Sequence, residues 1–193
     1  MQRKRREMIR GMAGAAALVA LPSVVRSAPV LPARHVVGAG TAGCVLAGLA
    51  LRNGSLPPDD SVFTVDRGPG GGAHPLVWNA LRERKIDVPD LAVVAALGGR
   101  DGGRIAAEIA QRWARYTASA NRTAIFVMPY AFEHTRYQRA QLQLPRVAQS
   151  FQHILVMHNE AAVGDPLELW SAVHDRANAN VLAALSATHQ RTL

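Results

Sequence analysis

Cysteine is almost missing from this sequence. Cys44 is the only one in 193 residues, so no intrachain disulfide is possible and no cysteine–histidine zinc pattern exists. The histidines do not supply a metal pair either. His153 and His158 lie five apart on a predicted strand and therefore point to opposite faces. Long apolar runs are also lacking: the stretch from Gly11 to Val25 has about 15 residues, short of the ~20 that a membrane-spanning helix needs. A broadly basic surface is missing as well, although the formal net charge is +8. Residues 1–28 hold Arg3, Lys4, Arg5, Arg6, Arg10 and Arg26 against Glu7 alone, which is +5 of that total. The remaining +3 is scattered as single arginines, without the clustered cations of a nucleic-acid footprint, so no nucleic-acid partner is expected. With 49% apolar and 19% charged residues, the chain is globular and long enough for one domain with a sizeable core.

The amino terminus carries its own signal. "KRREMIR" precedes the Ala/Gly/Val-rich run, and "VRSAPV" follows it. A basic start, a short apolar middle and a small-residue exit predict a secretory signal. The Arg5-Arg6 pair resembles the twin-arginine type, with cleavage expected after Ser27. An uncleaved basic anchor is the alternative. Residues 1–28 are thus assigned to a signal or anchor, 29–34 to a linker containing Pro29 and Pro32, and 35–193 to the domain. The expected location is exported or envelope-associated, with cytoplasmic as the alternative, and membrane contact only through the amino-terminal segment.

Within the domain, short apolar runs alternate with helical patterns. Strands are predicted at 35–37, 62–65, 91–97, 123–129 and 153–157. Helices are predicted at 42–53, 75–83 and 104–116, and in a stretch from Glu133 that Pro145 interrupts. A last helix is expected to begin with Asp165 as cap, Pro166 in the first turn and Glu168 reaching back. Its apolar stripe would be Leu167, Trp170, Val173, Ala177, Val181 and Leu185. This alternation predicts an α/β fold, a three-layer Rossmann-like domain with a mainly parallel sheet, whose ligands sit beyond the carboxyl ends of the strands.

Three glycine-rich turns fall at that edge: "GAGTAG" (38–43), "RGPGGGAHP" (67–75) and "GGRDGGR" (98–104). Without a Cβ, backbone N–H groups can approach phosphate oxygens, and a following helix start adds its positive dipole. Glycine also marks tight turns that bind nothing, but three such turns on one sheet edge favour phosphate binding.

"VVGAGTAGCVLA" alone is similar to the opening of the glucose–methanol–choline flavin oxidoreductases, with Asp66 as the ribose-binding acid. That similarity covers about 30 residues, one strand–helix–strand unit, and the chain has no room for that family's catalytic histidine region. A longer resemblance points elsewhere. "DLAVVAALGGRDGGRIAAEIA" resembles the strand, signature loop and helix of the bacterial tubulin-like division GTPases, the FtsZ family. "IFVMPYAFEHTRYQRA", "HILVMHNEAAV" and "LWSAVHDRANANVLAAL" resemble that family's next two strands and its central helix, in order, from about His35 to Leu185.

The resemblance implies a GTP or GDP site, with Mg accompanying the nucleotide. It assigns Gly38, Gly40, Thr41 and Gly43 to the first phosphate loop. Gly70, Gly71 and Gly72 fall in the third-loop region, and Gly98, Gly99, Gly102 and Gly103 in the signature loop. Glu133 would bond the ribose, Asn159 would lie beside the base, and Asp175 would accept hydrogen bonds from the guanine edge. It also implies a protein partner, an FtsZ-like protein or an envelope complex.

The pattern departs from the family in places. The signature loop is short, and Asp101 sets a carboxylate near the phosphates, at a cost on the order of 1–4 kcal/mol. The family arginine after the ribose glutamate is replaced by Tyr137, with Arg136 one position off. The family's water-activating carboxylates lie beyond the central helix, where these 193 residues have no counterpart. The expectation is therefore a degenerate pseudo-GTPase, a nucleotide-binding or protein-interaction module with little or no GTP hydrolysis. Two alternatives stay open: a small exported Rossmann-type subunit holding FAD or NAD in a redox complex, and a ligand-free accessory subunit with Trp78, Trp113 and Trp170 as core or interface anchors.

Overall fold

A computed structural model describes residues 34–66, 90–116, 121–165 and 167–190. The signal or anchor at 1–28, most of the linker, Gly70, Gly71, Gly72, Trp78 and the helix expected at 75–83 lie outside the described residues.

Five strands form one parallel sheet. They are β1 (Arg34–Ala39), β2 (Ser61–Val65), β3 (Asp90–Ala96), β4 (Arg122–Met128) and β5 (His153–His158), in the order β2-β1-β3-β4-β5. Four α-helices are described: α1 (Gly40–Arg52), α2 (Gly102–Tyr116), α3 (His134–Ala148) and α4 (Trp170–Gln190). From β1 the chain steps to one side for β2, then returns past β1 to build β3, β4 and β5. That reversal opens a crevice between the carboxyl ends of β1 and β3.

Strand periodicity explains the three layers. Along β3, Leu91, Val93 and Ala95 pack with Ile105, Ile109 and Trp113 of α2, while Ala92 and Val94 pack on the opposite face. There they meet Leu46 and Ala50 of α1 and Val181, Leu182 and Leu185 of α4. Both faces are covered, so the central strands are near-continuously apolar beyond their first one or two residues, as buried parallel strands require.

Three expectations are corrected by the structure. Pro145 does not interrupt α3 but lies inside its last turn. The N–H that proline lacks would have bonded to the carbonyl of Gln141, an exposed residue, so water can serve that carbonyl. The last helix does not begin at Asp165. It begins at Trp170, and Asp165 instead closes a turn in which its Oδ1 accepts from the Leu167 N–H at 2.8 Å and its carbonyl from Glu168 at 3.0 Å. Leu167 and Trp170 therefore leave the predicted stripe and are exposed, whereas Val173, Ala177, Val181 and Leu185 are buried. Arg34, placed in the linker by sequence, is the first residue of β1 and is buried. No described helix is long and apolar enough to cross a membrane.

Candidate functional site

The crevice at the β1/β3 switch is closed below by two helix starts. α1 begins at Gly40, directly after β1, with Ala39 at its cap position and no side chain to bond its first-turn N–H groups. Gly40 adopts φ +72°, and a Cβ there would lie 2.8 Å from the Cα of Gly102, the first residue of α2. The two turns touch, and only glycine fits the contact. Above them is a cavity of about 280 Å³ lined by Gly40, Thr41, Ala42, Gly99 and Gly102, with Asp66, Arg100, Asp101 and Arg136 as its charged groups. Uncapped N–H groups and two arginines suit an anion. Asp66 and Asp101 oppose it. Asp101 pairs with Arg104 at 3.1 Å, and Asp66 accepts from the Thr41 hydroxyl at 3.1 Å.

The predicted glycines divide by role. Gly40, Gly99 and Gly102 line the cavity together with Thr41. Gly38, Gly43, Gly98 and Gly103 do not line it and serve packing. A Cβ on Gly38 would strike the Gly43 carbonyl, one on Gly43 the Val94 carbonyl, and one on Gly103 would come within 3.0 Å of Leu97. Gly98, at φ +77°, lies against the Arg136 backbone. Gln143 of α3 fixes the loop by accepting from the Gly98 N–H at 2.9 Å and donating to the Gly99 carbonyl at 3.0 Å.

A second cavity of about 300 Å³ continues toward β4 and α4, sharing Ala42, Ala96 and Arg136 with the first. Its polar lining is Glu133, Arg136, Asn159, His174 and Asn178, with Tyr130, and its apolar wall includes Leu46, Val127, Pro129 and Val181. Glu133 and Asn159 are therefore brought together at this cavity. Asp175 is not. It is exposed and does not line the cavity, because burial of Val173, Ala177, Val181 and Leu185 fixes the rotation of α4. That rotation presents His174 and Asn178 instead, and Asp175 lies roughly 100° around the helix from His174.

The same logic brings in Arg136. Tyr137 packs against the core on the α2 side, which leaves Arg136 facing both cavities, where it bonds the Glu133 carboxylate. Sequence reasoning missed His174 and Asn178. Their four-residue spacing beside the apolar positions 177 and 181 was the available signal.

An aromatic cluster borders this second cavity. Tyr130 stacks on Phe132 with centroids 5.3 Å apart, and Trp170 meets Tyr130 edge-on at 5.2 Å. With Glu133, Arg136 and His174 these rings line a further cavity of about 370 Å³. Burial, then the nearby Glu133 and Glu160 carboxylates, push the Tyr130 hydroxyl above the usual phenol range. On α1, burial and then Asp66 raise the Cys44 thiol above its ordinary value, and a hydrogen bond with the Val65 backbone works the other way.

No protein-family model matches the sequence, and no curated protein matches it either. Solved structures do. A CetZ from Methanosaeta thermophila superposes with TM-score 0.64 at 17% identity, covering 80% of this chain and 53% of that one. An FtsZ dimer from M. jannaschii gives 0.63 at 18%, covering 82% and 55%. CetZ2 from Haloferax volcanii, in a GTPγS-bound protofilament, gives 0.63 at 21%, covering 81% and 57%. The chain thus spans about half the length of the solved structures it matches. With five parallel strands between helical layers and these likenesses over four-fifths of its length, the chain has the fold of the tubulin/FtsZ nucleotide-binding domain.

Proposed function

We propose that the chain is a guanine-nucleotide-binding module of tubulin/FtsZ fold that hydrolyses GTP slowly or not at all by itself and works through a protein partner. One observation carries the reading: two cavities along the carboxyl edge of the sheet share Ala42, Ala96 and Arg136, so a single trough runs from two glycine-built helix starts to polar side chains on α4. Phosphates would lie against the first turns of α1 and α2, where Gly40 and Gly102 keep the surface bare. Glu133 and Arg136 would flank the ribose, and Asn159, His174 and Asn178 would meet the base. A carboxamide both donates and accepts, so Asn178 can serve the guanine edge in the role that the sequence resemblance gave to Asp175.

Magnesium would arrive with the phosphates. Thr41 and Asp66 supply hard oxygen donors at the cavity wall, the kind Mg²⁺ prefers. Among the described residues no group of three or more His, Cys, Asp or Glu could hold a metal unaided. Asp101 adds charge of the phosphates' own sign beside them, which favours diphosphate over triphosphate and supports the reading of a weakened GTPase. Direct titration of the full chain with a fluorescent guanine nucleotide tests the proposal. Saturable binding that an adenine nucleotide competes at least tenfold less well is expected, and equal competition by both overturns it.

The flavin or nicotinamide reading has Asp66, which lines the first cavity, in its favour. The trough continues toward β4 and α4, however, away from β2, the strand that Asp66 follows. A colourless purified protein without flavin absorbance separates the two for FAD. For residues 1–28 the proposal is export or envelope attachment, and an intact Met1 on a free cytoplasmic protein would refute it.

A further inference from the structure

Among the described residues nine large apolar side chains are exposed, and four of them, Val163, Leu167, Leu169 and Trp170, fall within eight positions. A fifth, Phe132, joins them through its ring contact with Trp170 at 5.3 Å. Leu167 is 92% and Leu169 75% exposed, values a core-forming leucine does not show.

Side-chain bonds hold the residues around these leucines. Arg176 donates to the Ala162 carbonyl at 2.8 and 2.6 Å and also bonds the Glu168 carboxylate, while Asp165 holds the turn at Leu167. A hydrogen-bonded frame that displays apolar side chains to water has the character of an interface.

Its charge says what would cover it. From Asn159 to Asp175 the sequence has Glu160, Asp165, Glu168 and Asp175 and no lysine or arginine, in a chain of formal net charge +8. Glu168 is satisfied by Arg176, and Glu133 beside Phe132 by Arg136. Glu160, Asp165 and Asp175 have no ion-pair partner among the described residues. Glu160 bonds the Ala131 N–H beside Phe132, and Asp165 bonds the Leu167 N–H, so carboxylates without ion pairs border these apolar side chains. Such a border repels anionic lipid and nucleic acid and attracts a cationic polypeptide.

We propose that the aromatic–leucine surface formed by Phe132, Leu167, Leu169 and Trp170 docks a basic segment of another protein that carries a large apolar anchor. This deepens the protein-partner half of the proposed function and does not require the trough to hold nucleotide.

Two labelled synthetic amphipathic peptides with identical leucines test it on the full chain, one with lysines and one with glutamates in the polar positions. The lysine peptide is expected to bind at least about tenfold tighter and to weaken several-fold between roughly 50 and 300 mM salt. Leu169→Ser and Trp170→Ser should each weaken it by about tenfold, as loss of a buried anchor does. Leu142→Ser, at an apolar residue that is 70% exposed on α3, should leave it unchanged. Glu160→Gln with Asp175→Asn should weaken the lysine peptide alone. Equal affinity for both peptides, or a Leu142→Ser effect as large as that of Leu169→Ser, overturns the proposal. Nucleotide titration of the same samples reads the trough separately, so failure of one reading does not pass for failure of the other.

Discussion

Asn178 and Arg136 face the trough because their neighbours are apolar, and single-residue tests follow from that. Asn178→Ala should weaken guanine nucleotide binding by about tenfold, the loss of one or two base hydrogen bonds, while Asp175→Ala should stay within about twofold. Fluorescent-nucleotide titration of both variants checks the pair. Asp101→Asn removes a negative charge from the first cavity, where the phosphates are proposed to lie, and leaves Arg104 without that partner. GTP affinity should rise roughly three- to tenfold relative to GDP, a gain of about 1 kcal/mol. Cys44 offers a pH test. Its thiol is held above the ordinary range by burial and by Asp66, so the reactive thiolate is scarce at neutral pH. Alkylation should accelerate at higher pH than for a free thiol, and Asp66→Asn should move that rise to lower pH. An unchanged profile in the variant would remove Asp66 as a cause.

Helix starts set the limits of substitution at the scale of elements. Gly40→Ala forces a positive φ on a residue with a Cβ and drives that carbon toward Gly102. A loss of about 1–3 kcal/mol in denaturant unfolding is expected, with nucleotide binding reduced in whatever protein remains folded. The loop before α4 carries a second test. Arg176 holds the Glu168 carboxyl below the usual carboxylate range. A depressed folded value means that this tie is present above about pH 4 and is lost as the pH falls through the lower, folded value. Emission from half-exposed Trp170, two residues on, should change in that acid window in the wild type and not in Glu168→Gln.

Across the whole molecule, α4 spans from the trough to the opposite edge of the sheet, where Arg34 fixes it. Arg34 lies at the start of β1 with its Nε 2.9 Å from Asp60, whose side chain is fully buried. Its guanidinium also donates to Thr188 Oγ1 and to the Leu185 carbonyl, each at 2.8 Å. Ser186 adds a bond to the Ser55 carbonyl at 2.6 Å. Arg34→Met removes the side-chain ion pair to the buried Asp60 carboxylate together with the bonds to Thr188 and Leu185, and a loss of about 3–5 kcal/mol is expected. Chemical denaturation measures it. A loss below about 1 kcal/mol would mean that the contact has water's help in the folded protein.

What the sequence determined by itself was local and periodic: alternating strand and helix patterns, strand cores within a residue or two, the glycine turns after β1 and β3 at one edge, and a place on that edge for Glu133 and Asn159. These were legible because apolar periodicity and turn chemistry act over a few neighbouring residues. Only the tertiary structure decided which glycines face the cavity and which merely let backbone pass, since Gly38 and Gly40 are alike until the other elements pack around them. It also decided the rotation of α3 and α4, which turned Arg136, His174 and Asn178 inward and Asp175 outward. Rotation of a helix against a sheet is set by the summed burial of its apolar face, a long-range quantity that no single motif records.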